Sequence, residues 1–134
     1  MLAVPTGHPF ARRAPLSLED LARVTLLQIP ETLPDSLRED RTPRRTPAGR
    51  PIALGPSAMT FNETLTLVGA GEGAFAVGAH TRRYFARPDV VYVPFENAVP
   101  VDWGLVWPAD GATARVRAFS EMALDLVQAP APTP

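Results

Sequence analysis

The sequence predicts an α/β domain in which a sheet is covered on both faces by helices. Three observations carry this prediction. Short apolar or β-branched runs alternate with segments of helical period, the connections between them are brief and marked by Pro and Gly, and one stretch places Phe61, Leu65 and Val68 at i, i+4 and i+7. A length of 134 residues allows one ordinary domain and argues against two. With 46% hydrophobic and 20% charged residues, the chain lies far from disordered compositions and can bury a sizeable core.

Residues 2–5 (Leu-Ala-Val-Pro) read as a strand that starts mid-fold, with an outer edge open to pairing. Gly7, His8 and Pro9 then mark a turn. Ser17 with Asp20 three positions on forms a capping pattern for a short helix whose apolar side is Leu18, Leu21 and Ala22. Residues 24–29 (Val-Thr-Leu-Leu-Gln-Ile) predict a buried strand ended by Pro30. Residues 30–51 are rich in Pro and Arg and predict a short helix at about 35–40 followed by an irregular excursion. Residues 52–55 suit a short strand before Gly55-Pro56. The helix from Thr60 closes at Gly69-Ala70-Gly71-Glu72-Gly73, and residues 74–77 follow as a strand. Thr81 caps a short helix stopped before Pro88. Residues 90–95 and 101–107 predict two more strands, the second alternating Val101, Trp103, Leu105 and Trp107. A last helix carries Val116, Phe119, Ala123 and Leu126 on one stripe.

Composition excludes several functions. The 13 basic residues, all Arg, against 14 acidic ones leave a formal charge of -1, so no positive field exists to hold a nucleic acid. The absence of cysteine excludes disulfides, thiolate metal sites and thiol nucleophiles. No apolar run approaches a membrane span and no signal peptide pattern is present, which together predict a cytoplasmic chain.

No catalytic signature, metal site or cofactor motif is found. His8 and His80 have no partner at ligand spacing, and Ser17, Ser36, Ser57 and Ser120 lie outside any nucleophile-elbow context. The Gly69/Gly71/Gly73 cluster leaves a helix and enters a strand, the reverse of a phosphate loop, so it reads as a helix cap. Two helix starts, at Pro34-Asp35-Ser36 and at Ser57-Ala58-Met59-Thr60, could offer amides to a carboxylate or could simply be capped by their own residues. Arg38, Arg41, Arg44, Arg45 and Arg50, interleaved with Pro and close to Glu39 and Asp40, read as a solvated loop. Trp103 and Trp107 read as core or interface.

Taken in order, Pro5-Thr6-Gly7-His8-Pro9-Phe10, Leu16-Ser17-Leu18-Glu19-Asp20-Leu21, Thr64 to Val77, Pro88 to Phe95, Trp103-Gly104-Leu105-Val106-Trp107 and Val116-Arg117-Ala118-Phe119 resemble the second lobe of the effector-binding domain of LysR-type transcriptional regulators over residues 2–127. The resemblance implies one lobe of a type 2 periplasmic-binding-protein-like fold, with a mixed, mostly parallel sheet. Residues 1–111 would form that lobe, 112–128 a C-terminal helix belonging to the first lobe, and 129–134 a frayed tail. The DNA-binding domain and first lobe of such regulators have no counterpart among these residues, and 31–51 depart from the usual helical form.

The resemblance further implies that Pro34, Asp35, Ser36, Thr60 and Phe61 line an effector cleft. Residues 52–55 and 61–70 would form a side-by-side pairing surface. The expected partners are a small-molecule effector, held weakly, and a second copy of the chain, with no nucleic acid and no membrane. The expected function is effector sensing for transcription control without catalysis. The alternatives are a free-standing dimerisation module and, more remotely, a solute-binding protein or enzyme of the same fold.

Overall fold

The computed structural model describes residues 1–30, 32, 38–39, 41–100 and 104–128. Two compact units are present, Met1–Pro100 and Val101–Pro134.

In the first unit, β1 (Leu2–Pro5) lies between β4 (Phe75–Ala76) and β5 (Val90–Val93). Both pairings are antiparallel, with Leu2 opposite Ala76 on one side and Val93 on the other. The expectation of an open outer edge on β1 is therefore corrected: two later strands return to its two sides and use both rows of backbone groups. The second ladder joins β2 (Thr25–Gln28) to β3 (Ala53–Ser57) in parallel. Ala74 stitches the ladders together, donating to Thr25 O at 2.8 Å and accepting from Leu27 N–H at 2.9 Å.

The sheet is mixed, as the sequence predicts, with helices on both faces. Its balance differs from the mostly parallel expectation, because two of the three strand ladders are antiparallel. The reason is the position of β1, which runs against both strands that flank it.

Alternation along β1 divides the core. Leu2 and Val4 face a cluster with Phe10, Leu16, Leu21, Leu26 and Val93, while Ala3 faces Leu27, Leu65, Val68, Phe75 and Val90. The first face is covered by 3-10 helices at Pro9–Arg12 and Leu18–Arg23, the second by α1 (Phe61–Gly69). The capping pattern at Ser17 forms: Asp20 accepts from Ser17 N–H at 3.0 Å and from Arg13 at 2.9 Å.

The close of α1 is a Schellman cap, with Gly71 N–H on Val68 O, Glu72 N–H on Leu67 O and Gly71 at φ +85, where a Cβ would be strained. Gly73 has a different reason to be glycine: a Cβ there would stand 2.9 Å from Thr25 O of β2. A short helix α2 (Thr81–Tyr84) links β4 to β5.

The short helix expected at about 35–40 is helical at its described residues, and the excursion expected after it is held by turns and pairs. Residues 38, 39 and 41 are helical. Thr46 and Gly49 close a turn, Arg45 donates to Gly49 O at 2.9 Å, and Arg50 pairs with Glu19 at 3.2 Å while Glu19 also accepts from Ala48 N–H.

In the second unit, residues 104–107 form no strand, which corrects the strand expected over 101–107 for the part that is described. The alternation of apolar residues there has no neighbouring strand to bond, and Trp107 is left 40% exposed. Val101 and Trp103 lie outside the described residues, as does the tail 129–134. After a 3-10 turn at Ala109–Gly111, α3 (Ala114–Gln128) runs for 15 residues without burying one. No helix among the described residues is long and apolar enough to cross a membrane.

Candidate effector site

The two parallel strands β2 and β3 end at the same carboxyl edge, the place where α/β sheets hold ligands outside their strand ends. Ala58 N–H donates to Gln28 O at 3.3 Å, so the chain leaving β3 is tied to the end of β2 before it turns into α1. Gln28 fixes the edge further by donating its side-chain amide to Gly55 O at 2.7 Å.

Thr60 is the N-cap of α1. Its hydroxyl accepts from Glu63 N–H at 3.2 Å, and the Glu63 carboxylate accepts from Met59 N–H at 2.8 Å. The bland reading of this helix start is thus realised in part, because its own residues satisfy two amides and place a negative charge there. By position, the N–H groups of Phe61 and Asn62 remain as the first-turn donors for another acceptor. Phe61 is half-buried, with its ring edge-on to Phe85 at 4.7 Å and to Phe75 at 6.4 Å. Pro34, Asp35 and Ser36 lie outside the described residues.

A hollow of about 230 Å³ opens beside the end of β2, lined by Gln28, Ile29, Arg38, Glu39, Thr42, Arg44 and Leu54. Among the described residues the lining carries two arginines and one glutamate and is mostly polar. Arg44 is exposed and enters no ion pair among the described residues. Thr42 donates its hydroxyl to Arg38 O at 2.8 Å, fixing the helical turn that carries Arg38. Such a lining suits a small anion held by forked hydrogen bonds.

Sequence reasoning missed these residues by treating the Arg run as one solvated loop. The structure divides it: Arg45 and Arg50 hold their own loop, whereas Arg38 and Arg44 line the hollow. The signal available was Gln28, a polar residue at the end of an otherwise apolar strand.

Charge perturbations elsewhere are structural. Burial raises the Asp20 carboxyl, but the bonds from Ser17 and Arg13 outweigh it and hold the group below the ordinary carboxylate range. Burial lowers the His8 imidazole, whose Nδ1 accepts from Phe10 N–H at 3.1 Å. Among the described residues no cluster of His, Asp or Glu could hold a metal ion.

The family model of the LysR substrate binding domain matches residues 1–128. The chain belongs to this family. The transcriptional regulator IlvR of Caulobacter vibrioides is 27% identical over 129 residues, which are 96% of this chain and 43% of that protein. The chain therefore spans less than half the length of this curated relative. Among solved structures, HinK, a LysR family regulator of Pseudomonas aeruginosa, is 23% identical over 90% of this chain and 42% of its own, with a TM-score of 0.61. The BenM effector-binding domain, solved with its effector benzoate, is 24% identical over 72% of this chain and 44% of its own, at a TM-score of 0.57. These structures show that this LysR-type domain has the effector-binding-domain fold.

Proposed function

We propose that this LysR-type chain is the effector-binding part of a cytoplasmic transcriptional regulator and senses a small carboxylate. The observation that carries this reading is the polar hollow at the carboxyl end of β2, where the described lining includes the exposed Arg44, in a chain of the effector-binding family. Arg44 would receive the carboxylate in the hollow that it lines together with Arg38. Thr60 and Phe61, with Pro34, Asp35 and Ser36, would contribute the wall expected from the family. Benzoate on BenM is an effector of this chemical class.

The reading includes no catalysis. It also includes no DNA binding by this chain alone, given its charge of -1. Self-association fits the free outer edge of β3, which pairs only with β2 among the described strands.

The test is a thermal-shift and calorimetric titration with benzoate and small aliphatic and hydroxylated carboxylates, each beside its neutral amide. A ligand that binds the folded chain stabilises it by about 2.7 kcal/mol at a hundredfold excess over its Kd. The expected result is stabilisation by at least one carboxylate, none by its amide, and loss of the effect in Arg44→Ala. Equal effects of acid and amide, or indifference to Arg44, would overturn the reading.

A further inference from the structure

We infer that the hollow beside β2 is built for a free α-amino acid, Arg44 receiving the carboxylate and Glu39, with Gln28 and Thr42, receiving the ammonium group. On the reading of that hollow as the effector site, this narrows the ligand from carboxylates at large to those that also carry a positive charge. The described lining holds both signs of charge. Arg44 and Glu39, both exposed, stand at one hollow of about 230 Å³. They form no ion pair with each other or with another described residue. Two opposite charges are thus kept apart around one space, and a ligand that meets both carries both signs itself.

The hollow also offers more acceptors than a plain carboxylate can use. Gln28 commits its amide nitrogen to Gly55 O at 2.7 Å, which leaves its carbonyl oxygen Oε1 as the atom with bonding capacity to spare. Thr42 donates its hydroxyl proton to Arg38 O at 2.8 Å, so its oxygen is left to accept. Together with the Glu39 carboxylate these oxygens match a primary ammonium group, whose N–H bonds all donate. A plain carboxylate on Arg44 would stand beside the like charge of Glu39 and bring no donor for these oxygens, and both effects oppose binding. An ammonium group on the carbon next to the carboxylate removes both. Ile29 and Leu54, half-buried in the same lining, offer apolar surface to a side chain.

The experiment is isothermal calorimetry on the 134-residue chain at neutral pH with L-alanine, L-leucine and L-phenylalanine, each beside the acid that lacks its amino group and the amide that lacks its carboxylate. At least one amino acid is expected to bind about tenfold more tightly than both of its analogues. Glu39→Gln, an isosteric change at an exposed position, should erase its advantage over the deaminated acid, and Arg44→Ala its advantage over the amide. Acids that bind as tightly as their amino acids, or an advantage that survives Glu39→Gln, would overturn the inference and leave the carboxylate reading standing. Failure of amino acids and acids alike would overturn both.

Discussion

The helices α1 and α3 carry similar amphipathic patterns and meet opposite fates. In α1, Thr64, Leu65 and Val68 are buried against the sheet, the start is capped by Thr60, and the end is closed at Gly71. In α3, a stripe of the same period buries nothing. Periodicity states that one face of a helix is apolar. What covers that face is a matter of tertiary surroundings: the sheet of the first unit covers α1, while the described residues 104–111 leave α3 open within its own unit. The same pattern is buried in one region and left open in the other.

Substitutions on the two stripes sharpen this contrast. Leu65→Ala should cost about 2–5 kcal/mol in chemical denaturation, because Leu65 is 1% exposed and its loss opens a cavity. Phe119→Ala, at a position 63% exposed, should change the folding stability by less than about 0.5 kcal/mol. Equal costs at the two positions would break the comparison.

Glycines give a second pair. Gly73→Ala drives a Cβ to 2.9 Å from a backbone oxygen of β2 and should cost about 1–3 kcal/mol, whereas Gly104→Ala meets nothing within 4 Å and should be neutral. Removing the cap of α1 by Thr60→Ala should cost about 1 kcal/mol.

The smallest expected effect is on pH dependence, and it too belongs to the first unit. The folded His8 titrates below its ordinary value of 6.5, so the unfolded chain binds the proton more readily. Stability should be full above pH 6.5 and fall as the pH drops from there through the lowered folded value. A denaturation series across this window should flatten in His8→Asn. Asp20 acts in a lower window: its contribution is present above the ordinary carboxylate value of 3.8 and is lost as pH falls below it.

Local chemistry was the legible part of the fold. Ser17 with Asp20, Thr60 as a helix cap, and the Gly69–Gly73 close each act within a few residues, so the sequence names them. The partners of β1 come from residues 75–76 and 90–93, and nothing in Leu-Ala-Val-Pro says that both its edges would be taken. The alternation at 101–107 reads as a strand only if a neighbour exists to complete the ladder, and at 104–107 none does. At the site, Thr60 and Phe61 were named through family resemblance, and the structure adds that Glu63 and Phe85 already engage that helix start. Arg38 and Arg44 are not distinguishable among the five arginines of their segment, because the contacts that set Arg45 and Arg50 apart, with Gly49 O and with the distant Glu19, are made only in the folded chain.

The central claim is that the carboxyl end of the β2–β3 pair receives a small carboxylate. Its most direct measurement is an amide chemical-shift map of the 134-residue chain during titration with the carboxylate that gives the largest thermal shift. The account predicts perturbations concentrated at Asp35, Ser36, Arg38, Thr42, Arg44, Thr60 and Phe61, and their loss at Arg38 and Thr42 in Arg44→Ala. Perturbations centred on Gly69–Gly73, with none at those positions, would contradict it.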